Sequence, residues 1–412
     1  MIAALCFLAT AAAGPHFEVR PESALVDEPI AVVVRGLAPA SRVVVGLRGY
    51  GDAPHWSSSA TFVADANGVV DLTRMAPARG DYDGVDAMGL FWSARHDSSP
   101  RELPERRVDA SMPPAEVWQL TASVDGAVVA MASVARRAVA ADVTVTAVHD
   151  RGLAGVFYQP PGAGRHPAVL VLSGSGGGVM PASSFPGGLA SRGYAVLALA
   201  YFGVGGLPPS LHEIPLEYFG MALEWLAAQP SVDPKRLGVL GVSRGGELAL
   251  LLGSIAPQLR TVVAYVPADI VVGGCCSGRS EASWTIGGRA LAWSFPARED
   301  SRAAIHVEQI HGAVLLISGR SDGVWPSTAM SNSVMARLER NHFSYPHEHL
   351  AYADAGHGIG RPYSSTMDLD HVRHPLTGRV ISLGGTPAGT AKAREDSWRR
   401  VLAFLEKNLV QP

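Results

Sequence analysis

Three cysteines in 412 residues are too few for a disulfide framework. No C-x-x-C pair occurs, so a cysteine zinc site has no ligand spacing to build on, and no H-E-x-x-H stretch offers a histidine one. Adjacent Cys275-Cys276 reads as two packed thiols in a loop, with a vicinal disulfide or thiol chemistry as the alternative. Charge of one sign is also scarce. Lys and Arg number 34 against 37 Asp and Glu, a formal net charge of -3, and no basic run is present. Nothing in that balance recruits nucleic acid or an anionic membrane. Beyond the first residues no apolar run approaches the roughly 18 residues of a membrane span.

What is present is apolar and globular: hydrophobic residues make up 47%, charged ones 17%, and the mean hydropathy is +0.15. That is far from the composition of a disordered chain. The length exceeds one ordinary core, so two domains are expected. The opening "MIAALCFLATAAAGPHF" holds an apolar run and an Ala11-Ala12-Ala13 stretch resembling a signal-peptidase site, but no Lys or Arg precedes the run. Export to the periplasm or medium is expected if this leader, residues 1–14, is a signal peptide; otherwise the chain is cytoplasmic.

Residues 15–140 show short alternating segments broken by Gly, Pro, Asp and Asn. "IAVVVRGL", "RVVVGLRGY", "SATFVADANGVVDL" and "VWQLTASVDGAVVAMASVARR" read as strands, with turns at Ala66-Asn67-Gly68 and Asp125-Gly126. Strands spaced near ten residues predict an all-β, immunoglobulin-like sandwich. In residues 141–412 the rhythm becomes strand–helix alternation. "HPAVLVL", "GYAVLALA", "RLGVLGV", "TVVAYV" and "AVLLISG" are continuous apolar runs. Leu216, Phe219, Leu223 and Leu226 recur at helical spacing, as do Leu248, Leu251 and Leu252. Trp398, Val401, Leu402, Leu405 and Leu409 do so near the end. Doubly buried strands between helices predict an α/β domain with a mostly parallel sheet covered on both faces.

Chemistry concentrates at "GVLGVSRGGELAL". Gly241-x-Ser243-x-Gly245 follows a buried strand and opens a helix, the context in which such a serine becomes an exposed nucleophile on a strained turn. The backbone amide of Arg244, at the helix start, can face a developing oxyanion. A serine hydroxyl needs a base and an acid, and in this chain order they follow as acid, then histidine. Asp322 comes just after the strand "AVLLISG", and His357 lies in "ADAGHGIG". Asp354 competes as the acid, but three residues from His357 it suits a turn better. A second oxyanion donor is expected in Ser173–Gly178, at the amide of Ser175 or Gly176. Gly174 and Gly176 imitate a dinucleotide-binding turn, yet Val179 stands at the third glycine position. His347, His349, His306 and His311 lack a ligand pattern. The reading calls for no cofactor and no metal.

The chain resembles the acyl-CoA thioesterases and bile acid-CoA:amino acid N-acyltransferases. The resemblance is carried by "WSSSATFVADANGVVDLTRMAPARGDYDGVDAMGLFWS", "LSGSGGG", "LALAYFG", "IPLEYF", "GVSRGGELAL", "GRSDGVW", "AGHGIGRPY" and the closing "GGTPAGTAKAREDSWRRVLAFLEKNL". It implies a β-sandwich followed by an α/β-hydrolase domain, with Ser243, Asp322 and His357 as nucleophile, acid and base, and an acyl thioester as the small-molecule substrate. Family members that transfer acyl groups to amino acids carry Cys at the nucleophile position. Ser243 therefore implies water as acceptor, and hydrolysis to a free acid and coenzyme A. A carboxylesterase or dienelactone-type hydrolase on the same residues is the alternative reading, with N-acyl transfer and a non-enzymatic binding role behind it. The stretch from Val271 to His311, with Trp284, Leu291, Trp293 and Phe295, reads either as a cap over an acyl pocket or as ordinary packing.

Overall fold

The computed structural model describes residues 14–50, 56–96, 108–276, 281–294 and 302–411. The leader, but for Gly14, and Phe295 lie outside them. The chain divides into two compact units, of which the first comprises described residues 14–24, 28–50, 56–96 and 116–136.

This first unit is a β-sandwich of two antiparallel sheets. The smaller joins His16–Arg20, Ala31–Arg35 and Val70–Asp71, and the larger centres on Arg42–Tyr50, Trp56–Val63, Glu116–Val124 and Ala127–Arg137. Alternation makes the core, since successive strand side chains point to opposite faces. Val43, Val45 and Leu47 are buried while Val44 between them is exposed, and Val43 faces Phe62 across the ladder. Residues 66–68 do not close a hairpin. The strands on either side of them belong to different sheets.

The second unit holds residues 25–27, 108–115 and everything from Arg137 onward. Buried Asp27 belongs here because its Oδ2 accepts from Arg192 Nη1 and Trp398 Nε1, each at 2.7 Å. The unit is built on eight strands: β1 (Thr144–Val148), β2 (Ala154–Gln159), β3 (His166–Leu172), β4 (Ala195–Ala200), β5 (Val232–Val242), β6 (Leu259–Tyr265), β7 (Ala313–Gly319) and β8 (His347–Tyr352). Their order is β1-β2-β4-β3-β5-β6-β7-β8. The first two pairings are antiparallel and the rest parallel.

Helices cover both faces, which is why the strands read as unbroken apolar runs. Leu170, Leu172 and Val239 point to one side, against helices α2 (Leu216–Ala227), α3 (Arg244–Ile255) and α4 (Ser327–Arg340). Val169, Val171 and Leu240 point to the other, against α1 (Pro186–Ala190) and α5 (Pro387–Leu405). This is the α/β-hydrolase arrangement. The loops leaving β3, β5, β7 and β8 emerge at the carboxyl ends of the parallel strands, where sites in such sheets are built. Among the described residues no helix is long and apolar enough to cross a membrane.

Candidate active site

A single residue, Ser243, separates β5 from α3, and its backbone adopts φ 58°, ψ -117°. An L residue reaches that region only where the surroundings impose it, at about 1–3 kcal/mol. The glycines around it are steric requirements. A β carbon on Gly241 would stand 1.9 Å from the Gly245 oxygen, and one on Gly245 would stand 2.5 Å from the oxygens of both Leu172 and Ser173. A β carbon on Gly246 would meet the Tyr265 oxygen at 2.7 Å. The turn therefore nests against the ends of β3 and β6, and Ser243 N donates to Tyr265 O at 2.8 Å.

The structure brings Ser243, His357 and Asp322 together across 114 residues of chain. His357 Nε2 lies 2.8 Å from Ser243 Oγ, and His357 Nδ1 lies 2.8 Å from Asp322 Oδ2. A carboxylate only accepts, so Nδ1 carries the ring proton and Nε2 is left to accept the serine hydroxyl. The imidazole is 9% exposed and the carboxylate 1%. Asp322 Oδ1 is occupied as well, by the amides of Val324 at 2.9 Å and Trp325 at 3.2 Å. Trp325 packs edge-on against His357 with ring centroids 5.4 Å apart, its own Nε1 bonded to Val266 O. Asp354 is exposed, and its carbonyl accepts the amide of Thr386.

The acid and base loops are tied by a third segment, Leu383–Gly385. Leu383 O accepts the amides of both Gly323 and His357, at 3.1 and 2.7 Å. Gly384 bridges to Asp322, and Gly385 to Ala355. Gly384 has φ +68°, and a β carbon there would stand 2.1 Å from Ser321 O. Sequence reading overlooked this strap, although two adjacent glycines just before a helix were its trace.

Of the expected oxyanion donors, Arg244 opens α3, where the first amides have no partner within the helix. The Ser173–Gly178 loop does lie against the nucleophile: a β carbon on Gly174 would be 3.7 Å from Ser243 Oγ. The amides of Gly177 and Gly178 in this loop are bonded to Gly174 O and Phe202 O.

Beneath the elbow sits a buried ion pair that sequence reading also overlooked. Arg244 Nη1 and Glu247 Oε2 are 3.1 Å apart, with side chains 4% and 0% exposed. Arg244 Nη2 donates to Val272 O and Ser283 Oγ, and Glu247 Oε1 accepts from Trp284 Nε1 at 2.9 Å. Burial pushes the Glu247 carboxyl up and the Arg244 guanidinium down, and the attraction between them opposes both shifts. Trp284 is thus part of the core against Tyr201 and Phe219, so of the two readings ordinary packing holds for it. Leu291 and Trp293 are half-buried against the same cluster.

His349 Nε2 bonds to Ser318 Oγ at 2.7 Å, and His306 sits beside Glu308. The reading of Cys275 and Cys276 as packed thiols is corrected, because the two are joined in a disulfide. With His374 they form the one group of three potential metal ligands found among the described residues, their ligand atoms within 4.8 Å of one another.

Comparison with known proteins agrees with this layout. Residues 27–150 match the acyl-CoA thioester hydrolase/BAAT N-terminal region, and residues 214–282 and 290–411 match the BAAT/acyl-CoA thioester hydrolase C-terminal family. The mouse (Mus musculus) acyl-coenzyme A amino acid N-acyltransferase 1 is 30% identical over 95% of this chain and 97% of its own. The rat (Rattus norvegicus) acyl-coenzyme A thioesterase 1 is 29% identical over 93% of this chain and 94% of its own. The mouse mitochondrial acyl-coenzyme A thioesterase 2 is 30% identical over 93% and 87%. With both units matched in order and relatives similar along nearly the whole length, the chain belongs to the acyl-CoA thioester hydrolase/BAAT family.

Proposed function

We propose that this protein hydrolyses acyl thioesters, acyl-CoA above all, through an acyl-enzyme on Ser243. The observation that carries the reading is the hydrogen-bonded line from Ser243 Oγ through His357 to Asp322, with 2.8 Å at each step. As Oγ attacks the thioester carbonyl, its proton passes to His357 Nε2. Asp322 holds the ring in the tautomer that can accept it and stabilises the imidazolium that results. The tetrahedral oxyanion would be met by the amides of Arg244 and of Ser175 or Gly176, each donor worth roughly 2.7–4 kcal/mol. The carbon–sulfur bond then breaks and the thiolate takes the proton from His357. Water, activated by the same imidazole, releases the acid.

The relatives' names divide between thioesterases and amino acid N-acyltransferases. Serine rather than cysteine at the nucleophile position supports water as the acceptor. A second reading, hydrolysis of simple esters or lactones, is favoured by one observation. The Cys275–Cys276 disulfide is a bond that oxidising compartments keep, and an exported enzyme meets simple esters more readily than coenzyme A thioesters.

The test is a panel of acyl-CoAs and p-nitrophenyl esters, run with and without glycine or taurine. Coenzyme A release with no N-acylated product, abolished in Ser243→Ala, is the expected result. An N-acyl amino acid product would replace hydrolysis by transfer, and turnover of p-nitrophenyl esters alone would leave the second reading standing.

A further inference from the structure

The Cys275–Cys276 disulfide stands beside the loop that the proposed mechanism uses. Cys276 Sγ is 3.8 Å from the carbonyl oxygen of Ser175, and Ser175 Oγ is 3.0 Å from His374 Nε2. Gly174, the residue before Ser175, approaches the nucleophile itself. Two loop residues, Ser175 and Gly174, therefore stand between the bond and Ser243.

The two half-cystines are held differently. Cys275 N donates to the oxygen of buried Leu211 at 2.9 Å, and Gly274 before it has no room for a β carbon, which would stand 2.7 Å from that same oxygen. Cys276 has φ +76°, a left-handed conformation that an L side chain keeps only when something holds it. Here the bond to its fixed neighbour does so. Both residues are half-buried, as are Ser175 and His374, so a small reagent can reach them.

We infer that Cys275–Cys276 is a thiol-exchange site governing the oxyanion loop, its reactant a low-molecular-weight thiol such as the one released when a thioester is cleaved at Ser243. The inference rests on the reading of Ser243 as nucleophile. A thiolate attacks Cys276 Sγ, a new sulfur–sulfur bond forms there, and the Cys275–Cys276 bond breaks. Cys275 leaves as a thiolate and is protonated from solvent. A second thiolate then attacks the incoming thiol's sulfur and frees Cys276. Two small thiols are oxidised to their disulfide, and the protein disulfide is reduced to two thiols.

His374 favours exchange over metal binding. Its Nδ1 accepts the amides of Leu376 and Thr377, each at 3.3 Å, so the neutral ring carries its proton on Nε2. That proton faces Ser175 Oγ at 3.0 Å, with the two sulfurs within 4.8 Å of the same ring. A protonated Nε2 offers no lone pair to a metal.

Opening the bond lets Cys276 leave its left-handed conformation and withdraws the sulfur from Ser175. The Ser175 side of the oxyanion site then loses its support, and the oxidised form is the more active one. The full-length protein would be treated with a phosphine reductant, with coenzyme A, or with neither, beside a Cys275→Ser/Cys276→Ser variant. Readouts are kcat on a p-nitrophenyl ester and on an acyl-CoA, the rate of fluorophosphonate labelling at Ser243, and peptide masses.

In the untreated protein the linked Cys275–Cys276 peptide is expected, with a coenzyme A adduct on Cys276 after exposure to that thiol. Reduction should lower kcat about tenfold and leave KM much less changed, and reoxidation should restore it. The double variant should not respond. Reduction and reoxidation of the wild type test the idea even if that variant fails to fold. Alkylation of Cys275 or Cys276 without reductant, a fully reduced protein with unchanged kcat, or equal losses in wild type and variant would each overturn it. Failure of the Ser243 reading looks different, with no labelling and no turnover in either redox state.

Discussion

The elbow around Ser243 and the loops that carry Asp322 and His357 reach the same site by different physics. In the elbow the sequence signal is local, five residues between a strand and a helix, even though β3 and β6 supply part of the crowding. Gly241 and Gly245 would collide with each other's turn or with the end of β3 if they carried side chains, and the strain at Ser243 is confined to one residue. The acid–base half has no such short code. Its geometry depends on Leu383–Gly385, residues that follow His357 in sequence and thread back between the loop that begins at β7 and the one that follows β8. A nucleophile can thus be recognised from five residues, whereas its activation depends on three separate loops.

The largest effect that would break this contrast concerns the choice of acid. Asp322→Asn should lower kcat about 10⁴-fold, because an amide in place of the carboxylate favours the wrong imidazole tautomer. Asp354→Asn should stay within about twofold of the parent, since its side chain is exposed and its carbonyl does the bonding. A reversal of these two results in steady-state assays would reassign the acid.

Stability of the elbow is the next effect in size. Glu247→Gln leaves the Arg244 guanidinium buried without its counter-charge and should destabilise the second unit by about 3–5 kcal/mol. Denaturant unfolding followed by Trp fluorescence would read it. A loss under 1 kcal/mol would mean that the neutral amide satisfies Arg244, and that the pair supports the elbow through hydrogen bonding alone.

Gly384→Ala gives the smallest effect and separates the two halves most sharply. Its β carbon would strike Ser321 O from a left-handed backbone, displacing the strap that couples Asp322 to His357. We expect kcat to fall about 10²-fold, as a shift of an ångström at a reacting group does. The glycines of the elbow are untouched, so β5 and α3 should keep their hydrogen-exchange protection. Loss of protection at α3 would show that the halves are not independent.

Much of the molecule was readable beforehand, in proportion to how local each cause was. The continuous apolar runs of β3 to β7 announced a doubly covered sheet, and the alternation in Arg42–Tyr50 announced a sandwich face. Trp284 stayed open between two readings because a tryptophan in a glycine-rich insertion looks the same whether it caps a pocket or fills a core. Its burial against Tyr201 and its bond to Glu247 involve three distant elements. The Arg244–Glu247 pair at i, i+3 has the spacing of a surface ion pair, and only the sheet beneath it and the loop above make it a buried one. Cys275 and Cys276 were adjacent on paper, but whether they join depends on the backbone that Leu211 and Gly274 impose.

By itself the sequence determined the two kinds of domain, the elbow with its nucleophile, and the order in which acid and base would follow. Hydrophobic period and the small-residue pattern of the elbow are written over a few residues, so both can be read locally. Only the tertiary structure brought Asp322 within hydrogen-bonding distance of His357, joined their loops through residues 383–385, and set a disulfide beside Ser175. Each of these is a contact between segments remote in the chain. Its energy exists only once the sheet has brought the strand ends together.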